Sequence, residues 1–160
     1  MGGFAVISAK STVNIKTGTK ISGFRANNGG AFYVSGGLNI YGGTITGNTA
    51  VQNGGAAYVA SGGVLGIYGG SITGNTAAKG SAVYINGGSM KVGGGTVEGD
   101  IYLGNYSNLS LQLGTLKGKV VDDSTTGCVI DVLQDMNLKN ASFVLGDKSR
   151  IDVGNDDNGY

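Results

Sequence analysis

The sequence predicts an all-β chain, a single-domain right-handed parallel β-helix (β-solenoid) of about six coils, each of roughly 19–27 residues. Three observations point there. LNIYGGTITGNTAVQNGGAAYV from Leu38 returns as LGIYGGSITGNTAAKGSAVYI from Leu65, placing Ile45 and Ile72 27 residues apart. Short runs alternate apolar and polar residues between glycine pairs, which is the period of a strand, and no stripe of helical period occurs. Glycine fills 33 of 160 positions without a G-X-Y triplet, which excludes collagen. A 40% apolar content with a net charge of +1 excludes a disordered tail.

Degenerate copies flank the two clear ones: ISGFRANNGGAFYV from Ile21, MKVGGGTVEGDIYL from Met90 and LSLQLGTLKGKVV from Leu109. Each unit reads as three short strands. Aligned, the copies give columns that stay apolar: Phe32, Ala57, Val83 and Ile101; Val34, Val59, Ile85 and Leu103; Leu38, Leu65, Met90 and Leu109; Ile40, Ile67, Val92 and Leu111; Ile45, Ile72, Val97 and Leu116. A coil of short strands cannot bury its inward residues alone, so consecutive coils must stack, each strand pairing in parallel with its equivalent. At about 4.8 Å per coil, six coils make a rod about 29 Å long. The crossover rule favours the right hand. Regular coils run over about 21–103. Irregular coils follow over about 104–153, drawing on Ile130, Val132, Met136, Leu138, Phe143, Val144, Ile151 and Val153, with Cys128 as core filler. Residues 154–160 form a turn-rich acidic tail, a linker or an excised boundary, without the ligand spacing of a calcium loop.

Asn48, Asn75 and Asp100 each follow a glycine and align as a structural turn ladder, in which either stacked side chains bond along the rod or each is a turn residue that tolerates the left-handed region and faces water. The glycine pairs at 29–30, 36–37, 42–43, 54–55, 62–63 and 69–70 suit corners. No helix or placed lysine follows them, so they are not phosphate loops.

Outward positions carry the candidate binding residues. If Phe32 and Val34 point in, Tyr33 points out, and its column continues through Tyr58, Tyr84 and Tyr102; Tyr41 and Tyr68 form a second, shorter column. Such ladders either offer ring faces to sugars or pack ring on ring and stiffen the sheet. Thr44 and Thr46, with Ser71 and Thr73, form T-x-T pairs of the kind an ice-binding face uses, but Glu98 and Lys117 break the grid, which leaves them as β-branched fillers of a wet face.

The absence of histidine closes off Ser-His-Asp and Cys-His catalysis and imidazole metal ligation, and no metal or other cofactor is predicted. Residues 1–97 hold six basic and no acidic residues, whereas residues 98–160 hold five basic and ten acidic ones. A polysaccharide-cleaving site needs clustered carboxylates, which only Asp122, Asp123, Asp131 and Asp135 could supply, and Asp122-Asp123 reads equally well as a solvated loop. The basic residues are too sparse for a nucleic-acid track. No long apolar run predicts a membrane span, and Met1-Gly2-Gly3-Phe4 lacks the pattern of a signal peptide. Asn105, Asn108 and Asn140 begin N-x-S sequons.

Thr46 to Val59, TGNTAVQNGGAAYV, resembles the GGA and FxxN repeats of polymorphic outer-membrane-protein-type adhesins and, more broadly, the right-handed β-helix regions of large bacterial surface proteins. Gly29-Gly30-Ala31 and Gly54-Gly55-Ala56 match the first motif and Phe24-Arg25-Ala26-Asn27 the second; the likeness covers about residues 21–103. It implies a secreted or surface-displayed stalk, part of a larger protein, often adhesive. The combined expectation is a non-enzymatic adhesion or stalk module meeting a glycan or host surface protein through Tyr33, Tyr58, Tyr84, Tyr102, Tyr41 and Tyr68. Two alternatives remain: a carbohydrate-active, pectate-lyase-like β-helix enzyme or its degenerate relative, and a filament subunit associating end to end through open coil edges.

Overall fold

The computed structural model describes residues 1–133 and 136–154. It is an all-β parallel solenoid of about six turns, without a helix among the described residues. Each named pairing is parallel and joins a strand to its equivalent one coil away. Face A stacks Ala5–Ile7, Phe32–Val34, Ala57–Val59, Val83–Ile85 and Ile101–Leu103, then residues 120–122. Face B stacks Thr12–Ile15, Gly37–Ile40, Val64–Ile67, residues 89–92 and 108–111, Val129–Val132 and Arg150–Val153. Face C stacks Lys20–Ser22, Thr44–Thr46 and Ser71–Thr73, then residues 96–98 and 115–117.

The predicted columns are the observed registers. On face C, Ile21, Ile45, Ile72, Val97 and Leu116 lie one above another, each at most 3% exposed, and the inward columns of the three faces merge into one core. Parallel pairing continues through the coils predicted to be irregular, as far as Arg150–Val153.

Where three strands per unit are predicted, the first coils have a fourth. Arg25–Asn28 pairs with Thr49–Asn53 in a separate sheet, face D, and bridges from Thr49 to Thr76 and Asn53 to Lys79 carry it one coil further. From Ile72 to Val83 the chain takes 11 residues to round this side; from Val97 to Ile101, the equivalent positions, it takes 4. Losing face D is what shortens the repeat. The short corner needs Gly99, whose φ is +128° and whose missing Cβ would stand 2.9 Å from Ser81 Oγ and 3.1 Å from Ala82 N.

The corner between faces C and D holds the asparagine ladder. Asn48 is fully buried: its Oδ1 accepts from Phe24 N, its Nδ2 donates to Ile21 O and to Asn75 Oδ1, and its own N–H donates to Asn75 Oδ1, all at 3.0 Å. Asn75 Nδ2 donates in turn to Ile45 O at 2.9 Å. Phe24 thus heads this column, and its ring packs edge-on against Phe4 at 5.1 Å.

Asp100, predicted as the third rung, lies elsewhere. Its carbonyl accepts from Ala82 N and Val83 N as the Ala82 carbonyl accepts from Ala56 N and Ala57 N, so Asp100 is the equivalent of Ala82, not of Asn75. Its Oδ1 accepts from Lys119 N at 2.9 Å. With face D gone there is no C–D corner left for a third amide to fill.

Replacing Asn48 by Ala strands the Phe24 N–H and the Ile21 carbonyl in the interior, and urea unfolding should show a loss of about 2–4 kcal/mol. The same change at Asn39, whose side chain bonds Asn14 at 3.0 Å on an exposed face, should cost under about 1 kcal/mol. Equal losses at both positions would remove the special role of the buried ladder.

Candidate functional site

Face A brings together the first set of predicted residues. Tyr33, Tyr58, Tyr84 and Tyr102 occupy one register position, half-buried, between inward neighbours that are fully buried. Their rings stack pairwise at 5.1, 5.6 and 6.3 Å between centroids with planes within 23°. The column is longer than the tyrosines: Val6 pairs with Tyr33 at one end, and Val121 and then Val144 follow Tyr102 at the other. Seven successive outward rungs are therefore aromatic or β-branched apolar, without a charge.

The stacking decides what these rings offer. Rings of adjacent coils face each other along the rod axis, so their edges and hydroxyls, rather than open faces, meet the solvent. Sugar stacking on a run of ring faces, one of the two roles predicted for the ladder, does not match this geometry; ring-on-ring packing that stiffens the sheet does. Polar partners fix the hydroxyls. Asn86 Nδ2 donates to Tyr58 OH at 3.0 Å, and Tyr84 OH donates to Asp123 Oδ2 at 2.9 Å, where Lys79 Nζ also lies 2.8 Å away. Burial, then the bond to Asp123 and the charges nearby, push the Tyr84 phenol well above its usual range.

The second pair, Tyr41 and Tyr68, lies just past the face B strands and is more open, 52% and 42% exposed, with rings stacked at 5.3 Å. Gly66 makes room: a Cβ there would stand 2.6 Å from Cε2 of Tyr68. Lys91 holds its ammonium 6.0 Å from the Tyr68 ring centre, within cation–π range. On face C, Thr44, Ser71, Thr96 and Thr115 form one outward column, while Glu98 pairs in register with Lys117.

The carboxylates considered for catalysis do not converge. Asp122 is neither a solvated loop residue nor a cleft acid. It stands in register with Leu103, in a column that is apolar in the coils before it. Its Oδ1 accepts from Ser124 N and Oγ at 2.8 and 2.6 Å, and its Oδ2 from Gly146 N and Ser149 Oγ. Burial opposes the charged form, but these donors outweigh it and hold the carboxyl below its ordinary range. Asp131 is on face B in the column of Lys91 and Ser110, and Asp135 lies outside the described residues, as do residues 155–160 of the predicted tail. Among the described residues no three acidic or cysteine side chains gather as a metal site. Cys128 is buried in the core, as predicted; burial raises its thiol pKa, and Sγ donates to Ser149 Oγ at 3.2 Å.

Sequence reasoning missed the link from Tyr84 through Asp123 to Lys79, because it joins positions 39 and 44 residues apart that only the coil register brings together. It also missed Tyr106, which belongs to no tyrosine column.

With these features in place, the comparisons add no relative: no family model, curated protein or solved structure matches the chain.

Because the folded chain holds the Tyr84 proton more tightly than the unfolded one, stability is undiminished below the ordinary phenol pKa of about 10 and falls as pH rises above it. Urea midpoints measured across that range should drop more steeply for the wild type than for Tyr84→Phe. Parallel curves would mean that Tyr84 does not report on this contact.

Proposed function

We propose that the chain is a non-catalytic solenoid module of an extracellular or surface-displayed bacterial protein, a rigid stalk whose face A makes adhesive contact with a glycan or a host surface protein. The observation that carries this reading is the unbroken outward column from Val6 through four stacked tyrosines to Val144. A continuous hydrogen-bonded sheet fixes the spacing of these side chains before any partner arrives. Weak contacts at successive rungs then add with little ordering cost. Tyrosine edges and hydroxyls suit this use, since each combines apolar area with a polar tip. The GGA repeats at residues 29–31 and 54–56, like those of large surface proteins, support the setting.

The carboxylates favour a non-catalytic role over the lyase-like alternative. Asp122 spends both oxygens on four donors within the fold, and Asp123 is taken by Lys79 and Tyr84. A general acid or base needs a proton position open to substrate.

The labelled chain should bind a glycan array or intact host cells, and Tyr58→Ala with Tyr84→Ala should weaken that binding about tenfold or more while the circular dichroism stays β-like. Loss on the array assigns a glycan partner; loss on cells stripped of glycans assigns a protein. Unchanged binding by the double variant, or turnover of polygalacturonate by the wild type, would refute the reading.

A further inference from the structure

At the turn from face A to face B, successive coils place Gly62, Gly87, Tyr106, Gly127 and Lys148 at equivalent positions, two residues before the in-register set Val64, Ser89, Asn108, Val129 and Arg150. Gly62, Gly87 and Gly127 are left-handed there, with φ of 76°, 77° and 91°. Tyr106 adopts the same conformation, φ 56°, and is the one non-glycine to do so among the described residues. A Cβ in this region meets the following carbonyl, so glycine is the economical choice, and the neighbouring coils use it. Strain of this kind, held in place by its surroundings, clusters at ligand-binding positions. Here it is held: Asn105 Oδ1 accepts from Thr125 N at 2.8 Å and from Thr126 N at 3.3 Å, while Tyr106 N donates to Thr126 Oγ1 at 3.3 Å.

Tyr106 is 74% exposed and does not pack into the core. Next to it Gly127 contributes no side chain, and one rung further stands Lys148. The result is a slot of about 440 Å³ bounded by Tyr106 and Lys148, with Asn108 and Arg150 along its side. Lys148 Nζ donates to Thr125 O at 3.1 Å, and Asp152 holds Arg150 through Nε at 2.7 Å, a bond that does not involve the two terminal guanidinium nitrogens. One aromatic wall, two cations and an amide thus meet around a notch one residue wide.

We propose that this slot binds a single sugar unit bearing an anionic group, a carboxylate or a sulfate. The C–H face of the ring lies on Tyr106, the hydroxyls meet Asn108, and the anion meets Lys148 and Arg150. A nucleotide offers a similar anion, but a lone aromatic wall opposite a glycine gives no clamp for a base, whereas a pyranose needs only one face. The proposal uses neither tyrosine ladder and stands whatever face A binds.

Calorimetric titration of the full chain with glucuronate and with glucose 6-sulfate tests it, with glucose, acetate, inorganic sulfate and uridine monophosphate as comparisons. At least one acidic sugar should bind about tenfold more tightly than glucose or the free anions, and which one binds names the anion. Lys148→Met should cost about tenfold in that affinity. Tyr106→Gly should abolish binding while the melting temperature holds or rises, because glycine suits the left-handed turn. Retained binding by Tyr106→Gly would overturn the proposal. So would glucose, a free anion or the nucleotide binding as tightly as the acidic sugars, or no binding of either acidic sugar at millimolar concentration.

Discussion

In-register stacking of parallel coils is the constraint on which the rest of this structure depends. Each strand finds its backbone partners in the equivalent strand of the next coil, about 4.8 Å away, so each side chain lies above a homologous position and must tolerate its own kind as a neighbour. Apolar residues satisfy that rule by forming the core columns that run through faces A, B and C. Asparagine satisfies it by bonding amide to amide, as Asn48 does with Asn75. Tyrosine satisfies it by ring stacking, as along Tyr33, Tyr58 and Tyr84. Charges satisfy it poorly, and the first 97 residues carry no acidic residue at all.

Ladders are therefore in the first place a consequence of the fold. The tyrosine column becomes a candidate surface because it continues over seven rungs without a charge, and the stacking that organises it also turns ring faces away from solvent. A partner must read edges and hydroxyls, two of which are already oriented by Asn86 and Asp123. The slot at Tyr106 differs in kind: there the repetition is broken, with a tyrosine where the adjacent coils carry Gly87 and Gly127 and a cation two rungs on.

Much of the fold was legible because stacking writes itself into the sequence as columns. Ile45 over Ile72 and Tyr58 over Tyr84 follow from alignment alone. Aspartate 100 was misplaced because alignment across a shortened repeat gives no sign of where residues were lost; seven disappeared between Ile72 and Val83 of one coil and the matching positions Val97 and Ile101 of the next. Asp122 was illegible for another reason. A carboxylate in a core column reads as a loop residue until Ser124, Gly146 and Ser149 are known to surround it, and two of those three come from the following coil. Nor does sequence show that Tyr106 adopts a glycine's conformation, since that depends on the register set by Asn108 two residues later.

Direct stacking is best tested by cross-linking across the coils in a Cys128→Ser background. Thr44 and Ser71 are in-register neighbours on the wet side of face C, and Thr96 is one rung beyond. Cysteines at 44 and 71 lie about 4.8 Å apart at Cα, within disulfide reach, while those at 44 and 96 lie about twice that far. Mild oxidation should close the first pair within the monomer and leave the second as free thiols. Closure of the 44–96 pair, or of neither, would contradict in-register stacking and with it the tyrosine column.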